Sequence, residues 1–540
     1  MTRSLILRPA LSASALSPRD ALLGDPLRRQ ARDRGDSIAF DTPSRSWTYR
    51  EADEAANRIA QGLLELGIGH GDRVACLTRH GAESTLLMIA AARVGAVCAA
   101  LNWRLAPPEI AYVLTDSQAR LLLTDLEFAP ALVGTEFPML QQVLLTDGNT
   151  PQQSGFASWT SRFEPRDPHR DGAPDDAALQ LYSSGTTGLP KGVVMSSHNL
   201  MLACCAYAMV YRIDAETRML NALPSFHIAG VENALTTLIE GGRTRFHPAF
   251  EPATTIAAVE QERITHMFLV PAMMLFVLQH PAAEGADFRS LRAVSYGGSP
   301  VAESLLAEAR HRFGCGLLQV YGMTEVTGPA TWLLPEDHDP GGPRAHLLRS
   351  AGTPSPGVEI RVVDPATGAD CDEGAVGEIW ARTPQNMIGY WRNPEATAEV
   401  FPEGRDELGG WLRTGDAGYH REGVLYIHDR IKDMIISGGE NIYPAEVENA
   451  MAAHPAIAEV AVIGVPDARW GEAVKACVVL RPGKTVDGDE LLAWVRERLA
   501  RYKCPKSVDF VATLPRNPSG KVLKRTLREP YWQGRERAVS

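Results

Sequence analysis

Short apolar runs alternate with amphipathic stretches along most of this chain. Apolar residues at helical spacing predict helices over residues 52–66 and 86–92. Buried strands are predicted for runs that end near Gly or Pro turns, at residues 74–77, 121–123, 267–270, 292–296 and 317–321. Strands that alternate with helices are typical of an α/β fold, in which ligands gather at the carboxyl ends of strands.

The pattern changes twice toward the C-terminus. Residues 358–382 are rich in β-formers, which predicts a β-rich subdomain. Strands at 459–465, 473–480 and 508–514, with helices from Pro444 and over 487–503, predict a small α+β domain. We therefore expect a flexible leader (1–19), a large N-terminal domain of mixed α/β sheets (20–429), a hinge (430–433) and a small C-terminal domain (434–540).

Composition narrows the class of protein. A chain of 540 residues with 45% hydrophobic and 22% charged residues has the length and core-forming content of at least two globular domains. The net charge of −11 argues against a nucleic-acid partner. No apolar run reaches 18 residues, so no transmembrane segment is predicted. Eight cysteines without a C-x-x-C pair favour a reducing, cytoplasmic location, and the basic, serine-containing residues 1–19 leave a targeting segment as an alternative.

The loop at residues 183–192 carries the strongest chemical signal. It reads Ser-Ser-Gly-Thr-Thr-Gly-Leu-Pro-Lys-Gly between two apolar runs. Glycine lets the backbone approach an anion, and hydroxyls with an ammonium group can bind phosphate oxygens. It departs from the common P-loop, and a polar hairpin turn is the alternative. The residues predicted to bind phosphate are Ser183, Ser184, Gly185, Thr186, Thr187, Gly188 and Lys191.

This loop resembles the phosphate motif of the adenylate-forming (ANL) superfamily of acyl-CoA synthetases and AMP-dependent ligases. Four further segments match that superfamily in the expected order: Tyr-Gly-Met-Thr-Glu at 321–325, Thr-Gly-Asp at 414–416, Arg430, and Pro-Arg-Asn-Pro-Ser-Gly-Lys at 515–521. The resemblance implies an AMP-binding N-terminal domain and a mobile C-terminal lid domain.

The resemblance also implies a role for each motif residue. Tyr321 would stack on adenine beside Gly322, Thr324 would bind the α-phosphate, and Glu325 would hold Mg²⁺. Asp416 and Arg430 would bind ribose, and the turn Gly297, Gly298, Ser299 and Pro300 would lie at the nucleotide and acyl sites. The implied catalytic residues are Lys521, Lys191, Thr324 and Glu325, with ATP, Mg²⁺ and CoA as cofactors.

In this superfamily the small domain rotates between two half-reactions. Lys432 occupies the matching hinge position. Rotation would bring Gly438 and Gly439 to the site, where glycine leaves a channel for a pantetheine arm that Trp470 could line, although packing is an equal alternative for this tryptophan.

The acyl site is implied by Phe-His-Ile-Ala-Gly at 226–230. Amino-acid-activating relatives usually have Asp where His227 stands, so the substrate is expected to lack an α-amino group. The predicted pocket is apolar, and Arg243 and Arg245 stay open as partners for a second carboxylate. Its wall would consist of Phe226, His227, Ile228, Ala229, Met273, Met274, Gly297, Gly298, Thr327 and Gly328.

The sequence therefore predicts an acyl-CoA synthetase that makes an acyl-adenylate and pyrophosphate from ATP, then a CoA thioester and AMP. Fatty, aryl and alicyclic acids stay open as substrates, and so does a homodimer. One alternative is an acyl-AMP ligase that loads a carrier protein in trans, because only nineteen residues follow Lys521. A second is a non-catalytic nucleotide-binding regulator.

Overall fold

The computed structural model describes residues 22–79, 81–147, 154–183, 189–299, 301, 303–430, 433–437, 440–516 and 522–533. For residues 154, 429, 430, 440 and 441 the description covers the backbone alone. Within these ranges, no helix combines the length and apolarity that a membrane crossing requires.

The strands follow one another along the chain as follows. The first twelve are β1 (Ile38–Asp41), β2 (Ser46–Thr48), β3 (Arg73–Leu77), β4 (Val97–Ala100), β5 (Ala119–Thr124), β6 (Gln142–Leu145), β7 (Ser154–Gly155), β8 (Ala177–Ser183), β9 (Lys191–Ser196), β10 (Arg218–Asn221), β11 (Arg243–Phe246) and β12 (His266–Leu269). The next are β13 (Ala293–Gly297), β14 (Gly316–Met323), β15 (Gly328–Leu333), β16 (Thr353–Pro354), β17 (Glu359–Val363), β18 (Gly377–Arg382), β19 (Gly389–Tyr390), β20 (Trp411–Arg421), β21 (Val424–Arg430), β22 (Ile435–Ser437), β23 (Glu440–Ile442), β24 (Ile457–Asp467), β25 (Gly471–Leu480) and β26 (Ser507–Phe510).

The α-helices lie between these strands. They are α1 (Asp25–Arg34), α2 (Tyr49–Glu65), α3 (Gly81–Ala92), α4 (Pro107–Ser117), α5 (Phe156–Thr160), α6 (Ser197–Tyr211), α7 (Ile228–Glu240), α8 (Pro252–Glu262), α9 (Pro271–Gln279), α10 (Glu303–Phe313), α11 (Pro394–Val400), α12 (Pro444–Ala452), α13 (Gly488–Arg496) and α14 (Lys524–Trp532).

Two large, mostly parallel sheets contain most of the strands up to residue 390. One has the strand order β19-β9-β8-β4-β3-β5-β6-β7 and the other β16-β15-β14-β13-β12-β10-β11-β1-β2. Helices α3, α6 and α7 are buried around most of their circumference, which is the pattern of helices packed inside a core rather than on its surface. The predicted fold class, α/β with mixed sheets, is confirmed.

Local signals fix the start of the helices that carry the site. Ser196 ends β9 and begins α6 through a capping box, in which its hydroxyl accepts from Asn199 N at 3.0 Å and Asn199 Oδ1 accepts from Ser196 N at 2.9 Å. The chain therefore passes from strand to helix without a loop.

Two smaller sheets complete the described chain. Strands β17-β18-β20-β21 form an antiparallel sheet where the β-rich subdomain is predicted. Strands β23-β22-β25-β24, with β26 beside β25, form another sheet around its own core of Ile435, Val447, Val462 and Val474, packed with α12 and α13.

Helix α13 ends earlier than predicted. The sequence pattern predicts a helix over residues 487–503, but α13 ends at Arg496. The following residues turn back so that Lys506 N donates to Val474 O at 2.8 Å and starts β26 parallel to β25. Tertiary pairing therefore overrides the helical periodicity there.

Candidate active site

Strands β8 and β9 form a hairpin that holds both ends of the predicted phosphate loop. They pair antiparallel, and Ser183 lies directly opposite Lys191. Residues Ser184, Gly185, Thr186, Thr187 and Gly188 lie outside the described residues. The strand-loop-strand arrangement is the one predicted, and it fixes where Lys191 enters the site.

A residue that the sequence did not single out, Tyr390, joins this hairpin to Glu325. Strand β19 pairs with β9, which places the Tyr390 ring 5.1 Å from Lys191 Nζ. The Tyr390 hydroxyl donates to Glu325 Oε1 at 3.1 Å. Lys191 and Glu325, predicted for phosphate and metal, are therefore both neighbours of one phenol. The sequence feature that could have pointed to Tyr390 is the Gly-Tyr-Trp run at residues 389–391.

A second contact joins the residues predicted to bind adenine and ribose. The Tyr321 hydroxyl donates to Asp416 Oδ2 at 2.8 Å, although the two residues are 95 positions apart. Tyr321 lies near the end of β14, and Thr324 and Glu325 follow in a single 3-10 turn. Gly322 has no room for a side chain, because a Cβ there would lie 1.9 Å from Gly328 O.

Asp416 is presented by a bulge rather than by a turn. Gly415 has φ of +70° within β20, where the pairing with β18 shifts register. The buried carboxylate of Glu378 accepts from Gly415 N at 3.3 Å and from Arg413 Nε at 2.8 Å. Thr414 Oγ1 accepts from Asp416 N at 3.1 Å. Glu378 is a positioning residue that the sequence analysis missed, since it lies 37 residues before the bulge.

Arg430, the predicted second ribose contact, lies opposite Asp416 in the pairing of β20 with β21. Its side chain is outside the described residues. The backbone register therefore places its Cα beside Asp416.

The aromatic motif lies at the start of α7. His227 is the residue before the helix, and its ring centroid lies 4.5 Å from that of Phe226. Burial, reinforced by the nearby Arg104 charge, lowers the pKa of His227 to about 4. Its Nε2 has no hydrogen-bond partner among the described residues. His227 is therefore neutral at pH 7.

The predicted acyl wall comes together in part. Ile228 and Ala229 are in the first turn of α7, and Glu232, one turn further, contacts the Gly328 backbone closely. Gly328 has φ of +101°, and a Cβ there would lie 2.1 Å from Glu232 Oε1. Helix α7 and the start of β15 therefore meet where Thr327 and Gly328 were predicted. The buried Glu232 does not fit the predicted apolar wall.

The remaining wall residues lie at the end of β13, in the same sheet as β15, and in α9. Gly298 has φ of +84°, and the nearest atom to a Cβ there is Val270 Cγ1 at 3.7 Å. Gly297 packs directly on Val320 O, and Ser299 follows Gly298. Met273 packs on the core around α9, and Met274 is fully buried in it. Met274, which was predicted to line the acyl wall, is therefore a residue of that core.

The two arginines considered for a second carboxylate have partners elsewhere. Arg243 and Arg245 both pair with the buried Asp41, the second at 3.2 Å. Arg245 also lies 3.3 Å from Glu262 Oε1. These arginines therefore hold β1 to β11 instead of facing the acyl wall.

The C-terminal sheet holds the ends of two further predicted segments. Ser437 pairs with Gly471, next to the half-exposed Trp470, whose ring is stacked by Arg469. Arg516 and Val522 form a bridge on either side of residues 517–521. Outside the described residues lie the predicted Pro300, Lys432, Gly438, Gly439 and Lys521.

The described residues contain no group of three or more His, Cys, Asp or Glu side chains arranged to hold a metal ion. Glu325 is a buried carboxylate beside a hydroxyl, a hard oxygen donor set of the kind that Mg²⁺ accepts. Any such ion would need its remaining ligands from bound phosphate and water.

Comparison with known proteins gives matches over nearly the whole chain. The family described as AMP-binding enzyme matches residues 27–391, and the family described as AMP-binding enzyme C-terminal domain matches residues 446–521. A fatty acid–[acyl-carrier-protein] ligase, ScoC of Streptomyces coeruleorubidus, is 38% identical over 503 residues, which is 92% of this chain and 94% of that protein.

Two more matches are of the same extent. A feruloyl-CoA synthase of an Amycolatopsis species is 40% identical over 486 residues, covering 90% of this chain and 94% of that protein. The crystal structure of ATP-bound MatB from Rhodopseudomonas palustris superposes with a TM-score of 0.85 at 32% identity, covering 94% of this chain and 99% of that one.

Proposed function

The chain belongs to the family of AMP-binding enzymes, and from that premise we propose which acid, acceptor and residues complete its reaction. The chain is an AMP-forming acyl-CoA synthetase, an acid–thiol ligase that uses ATP. Its proposed substrate is a carboxylic acid without an α-amino group, and its proposed acceptor is CoA.

The hydrogen bond between Tyr321 and Asp416 is the observation that carries the residue assignment. It brings the ring proposed to stack on adenine against the carboxylate proposed to bind ribose. Because a carboxylate accepts two hydroxyl donors readily, Asp416 can exchange the phenol for ribose hydroxyls when a nucleotide binds.

We assign the first half-reaction to charge stabilisation around the α-phosphate. The acid attacks the α-phosphorus of ATP and pyrophosphate leaves, so negative charge gathers on phosphate oxygens. Lys191 lies at the end of the loop that would hold those oxygens, and Lys521 is proposed to bridge the acid and the α-phosphate. Thr324 would donate to the α-phosphate from the turn before Glu325.

Glu325 is the proposed protein ligand for Mg²⁺, which when bound would neutralise charge on the ATP phosphates. Tyr390 would hold the Glu325 carboxylate in place by the hydrogen bond to Oε1. The remaining ligands of the proposed metal site would come from the nucleotide phosphates and water.

The neutral, half-buried His227 supports an acid without an α-amino group. An ammonium ion beside it would meet a group without negative charge, which gives no electrostatic stabilisation. The named relatives act on different acids, so their names do not choose among fatty, aryl and alicyclic substrates.

The second half-reaction would follow rotation of the small domain about Lys432, which brings Gly438, Gly439 and Trp470 to the adenylate. Attack by a thiol then releases AMP. Since all eight cysteines are free thiols in the structure, we place the enzyme in the reducing cytoplasm.

A panel of carboxylic acids assayed for AMP release tests this function, with CoA in one arm and an acyl carrier protein in the other. We expect CoA to be required and a CoA thioester to form. AMP release only with the carrier protein would favour the acyl-AMP ligase. Nucleotide binding without AMP release from any acid would favour the regulator.

A variant separates the two steps. Lys521→Ala should slow adenylate formation by about a hundredfold or more, which is the effect of losing one preorganised charge-stabilising donor. It should largely spare thioester formation from supplied acyl-adenylate. Equal loss in both assays would remove Lys521 from the proposed role.

A further inference from the structure

Three buried polar side chains near the acyl wall have atoms without hydrogen-bond partners. These atoms are Glu232 Oε1, Asn233 Nδ2 and Thr327 Oγ1. The three residues are 2%, 1% and 0% exposed, so solvent does not satisfy them. Buried polar atoms nearly always have partners in folded proteins, because each unsatisfied one destabilises the fold. Three such atoms on α7 and in the residue before β15 therefore point to a ligand that supplies the missing partners.

The position of these atoms ties them to the acyl wall. Glu232 and Asn233 lie one helical turn beyond Ile228 and Ala229, and residues four apart lie on the same face of a helix. Thr327 precedes Gly328, whose backbone contacts the Glu232 carboxyl. The three polar groups therefore lie beside residues of the predicted acyl wall, on α7 and just before β15.

The neighbourhood decides what kind of group they would accept. Burial raises the pKa of Glu232 well above its usual range, and no charged neighbour contributes to that shift. Burial therefore favours the neutral carboxyl, which can both donate and accept. Asn233 already accepts from the Tyr207 hydroxyl through Oδ1 at 3.0 Å, which leaves its Nδ2 as a donor. Such a set fits an uncharged hydroxyl or amine, since a charged group would find no counter-ion there.

We propose, on the basis of the proposed function, that Glu232 selects acids whose end distant from the carboxylate bears a hydroxyl or an uncharged amine. That group donates to Glu232 and accepts from Asn233 or Thr327. Selection follows because a site built around polar atoms rejects an analogue that leaves them unpaired. Glu232 is thus a specificity residue.

Matched acids test this selection. The acids form two sets, each with one carbon skeleton. The aryl set is 3-(4-hydroxyphenyl)propanoate, 3-(4-aminophenyl)propanoate and 3-phenylpropanoate. The alkyl set is 10-hydroxydecanoate and decanoate. For the preferred skeleton we expect kcat/KM to be at least about tenfold higher with the hydroxyl or amine than without it. Comparison of the hydroxyphenyl acid with the aminophenyl acid shows whether the site prefers a hydroxyl or an amine. Faster turnover of the unsubstituted member in every set would overturn the proposal.

Variants at Glu232 test the residue. Glu232→Leu should bring the ratio of kcat/KM between pair members to about one, and Glu232→Gln, which keeps a polar end, should retain most of the preference. Thr237→Val on the same helix is the control, because Thr237 is buried with its hydroxyl donating to Asn233 O at 2.7 Å. It should leave the ratio unchanged. An unchanged ratio in Glu232→Leu would overturn the proposal.

Thermal unfolding provides a readout that does not need activity. Glu232→Leu should raise the Tm of the ligand-free enzyme, because an unsatisfied buried carboxyl gives way to an apolar side chain. With ATP present, the hydroxylated acid should raise the wild-type Tm more than its unsubstituted partner. A lower Tm for Glu232→Leu together with equal ligand shifts would assign Glu232 a structural role and refute selection. AMP release from none of the acids would instead refute the proposed function.

Discussion

Tyr390 donates a hydrogen bond of 3.1 Å to Glu325 while its ring lies 5.1 Å from the ammonium group of Lys191. One phenol therefore contacts both the carboxylate and the ammonium group. We propose that Lys191 meets the phosphates of ATP and that Glu325 meets its divalent cation. Tyr390 would then hold Glu325 in place before ATP binds.

Removal of the Tyr390 hydroxyl should therefore weaken metal binding. We expect Tyr390→Phe to raise the Mg²⁺ concentration for half-maximal adenylate formation about tenfold, the lower end for loss of an outer-shell partner. Glu325→Gln should have a larger effect, and AMP should bind to both variants nearly as to the wild type. Pyrophosphate exchange against Mg²⁺ measures this, with Tyr426→Phe as a control. An unchanged Mg²⁺ requirement in Tyr390→Phe would contradict the assignment.

The contact between Tyr321 and Asp416 leads to a graded effect on nucleotide affinity. Asp416→Ala should weaken AMP and ATP alike, because both contain ribose. Tyr321→Phe keeps the ring and removes only the hydrogen bond, so its effect on Kd should be smaller, about five- to tenfold. Calorimetric titration with AMP gives both values. Intact AMP affinity in Asp416→Ala would show that the ribose lies elsewhere.

Glu378 should act on nucleotide binding without touching the nucleotide. Its carboxylate accepts from Gly415 N, Arg413 Nε and Trp380 Nε1, and it thereby fixes the bulge that presents Asp416. We expect Glu378→Ala to weaken AMP binding by about tenfold or more, and to lower the Tm because it leaves buried donors unsatisfied. Glu378→Gln should weaken AMP binding and lower the Tm less than Glu378→Ala does. A lower Tm with unchanged AMP affinity would limit Glu378 to a structural role.

A bulky side chain at position 229 should narrow the proposed acyl pocket. Ala229→Phe should reduce kcat/KM for large acids far more than for propionate, with a differential of roughly 1–3 kcal/mol. Ala229→Ser should leave kcat/KM unchanged for large acids and for propionate. Gly328 is unsuitable for this test, since its φ of +101° and its contact with Glu232 make any side chain disruptive. Equal loss across acid sizes would indicate that Ala229 does not line the pocket.

Two buried histidines away from the site predict the pH dependence of stability. Burial lowers the pKa of His266 and of His338 from 6.5 to about 4. The unfolded chain therefore binds protons that the folded state resists as pH falls below 6.5. Each histidine should lower the free energy of unfolding by about 1.5 kcal/mol between pH 6.5 and pH 5.

Unfolding in urea across this range measures the loss. His338→Gln should flatten the pH dependence, because His338 uses the neutral form to donate to Leu334 O and accept from the Tyr296 hydroxyl. His169→Gln, at an exposed position, should not. Stability that stays constant between pH 6.5 and pH 5 would contradict the buried neutral state.

Much of the architecture follows from local pattern. Strand β3, helix α2 and strand β25 lie within a few residues of their predicted positions, because alternation and helical spacing report which face of an element is buried. Helix α13 is shorter than its pattern, because a strand pairing beyond it required the chain to turn.

By itself, the sequence determined the α/β class, the order of the motifs and the kinds of groups that could meet ATP. Only the tertiary structure decided that Tyr390 lies against Glu325, that Glu378 holds the bulge at Asp416, and that the buried carboxyl of Glu232 lies against Gly328. The physical reason is that these contacts join residues 37 to 96 positions apart, through sheet register and helix packing that no local pattern encodes.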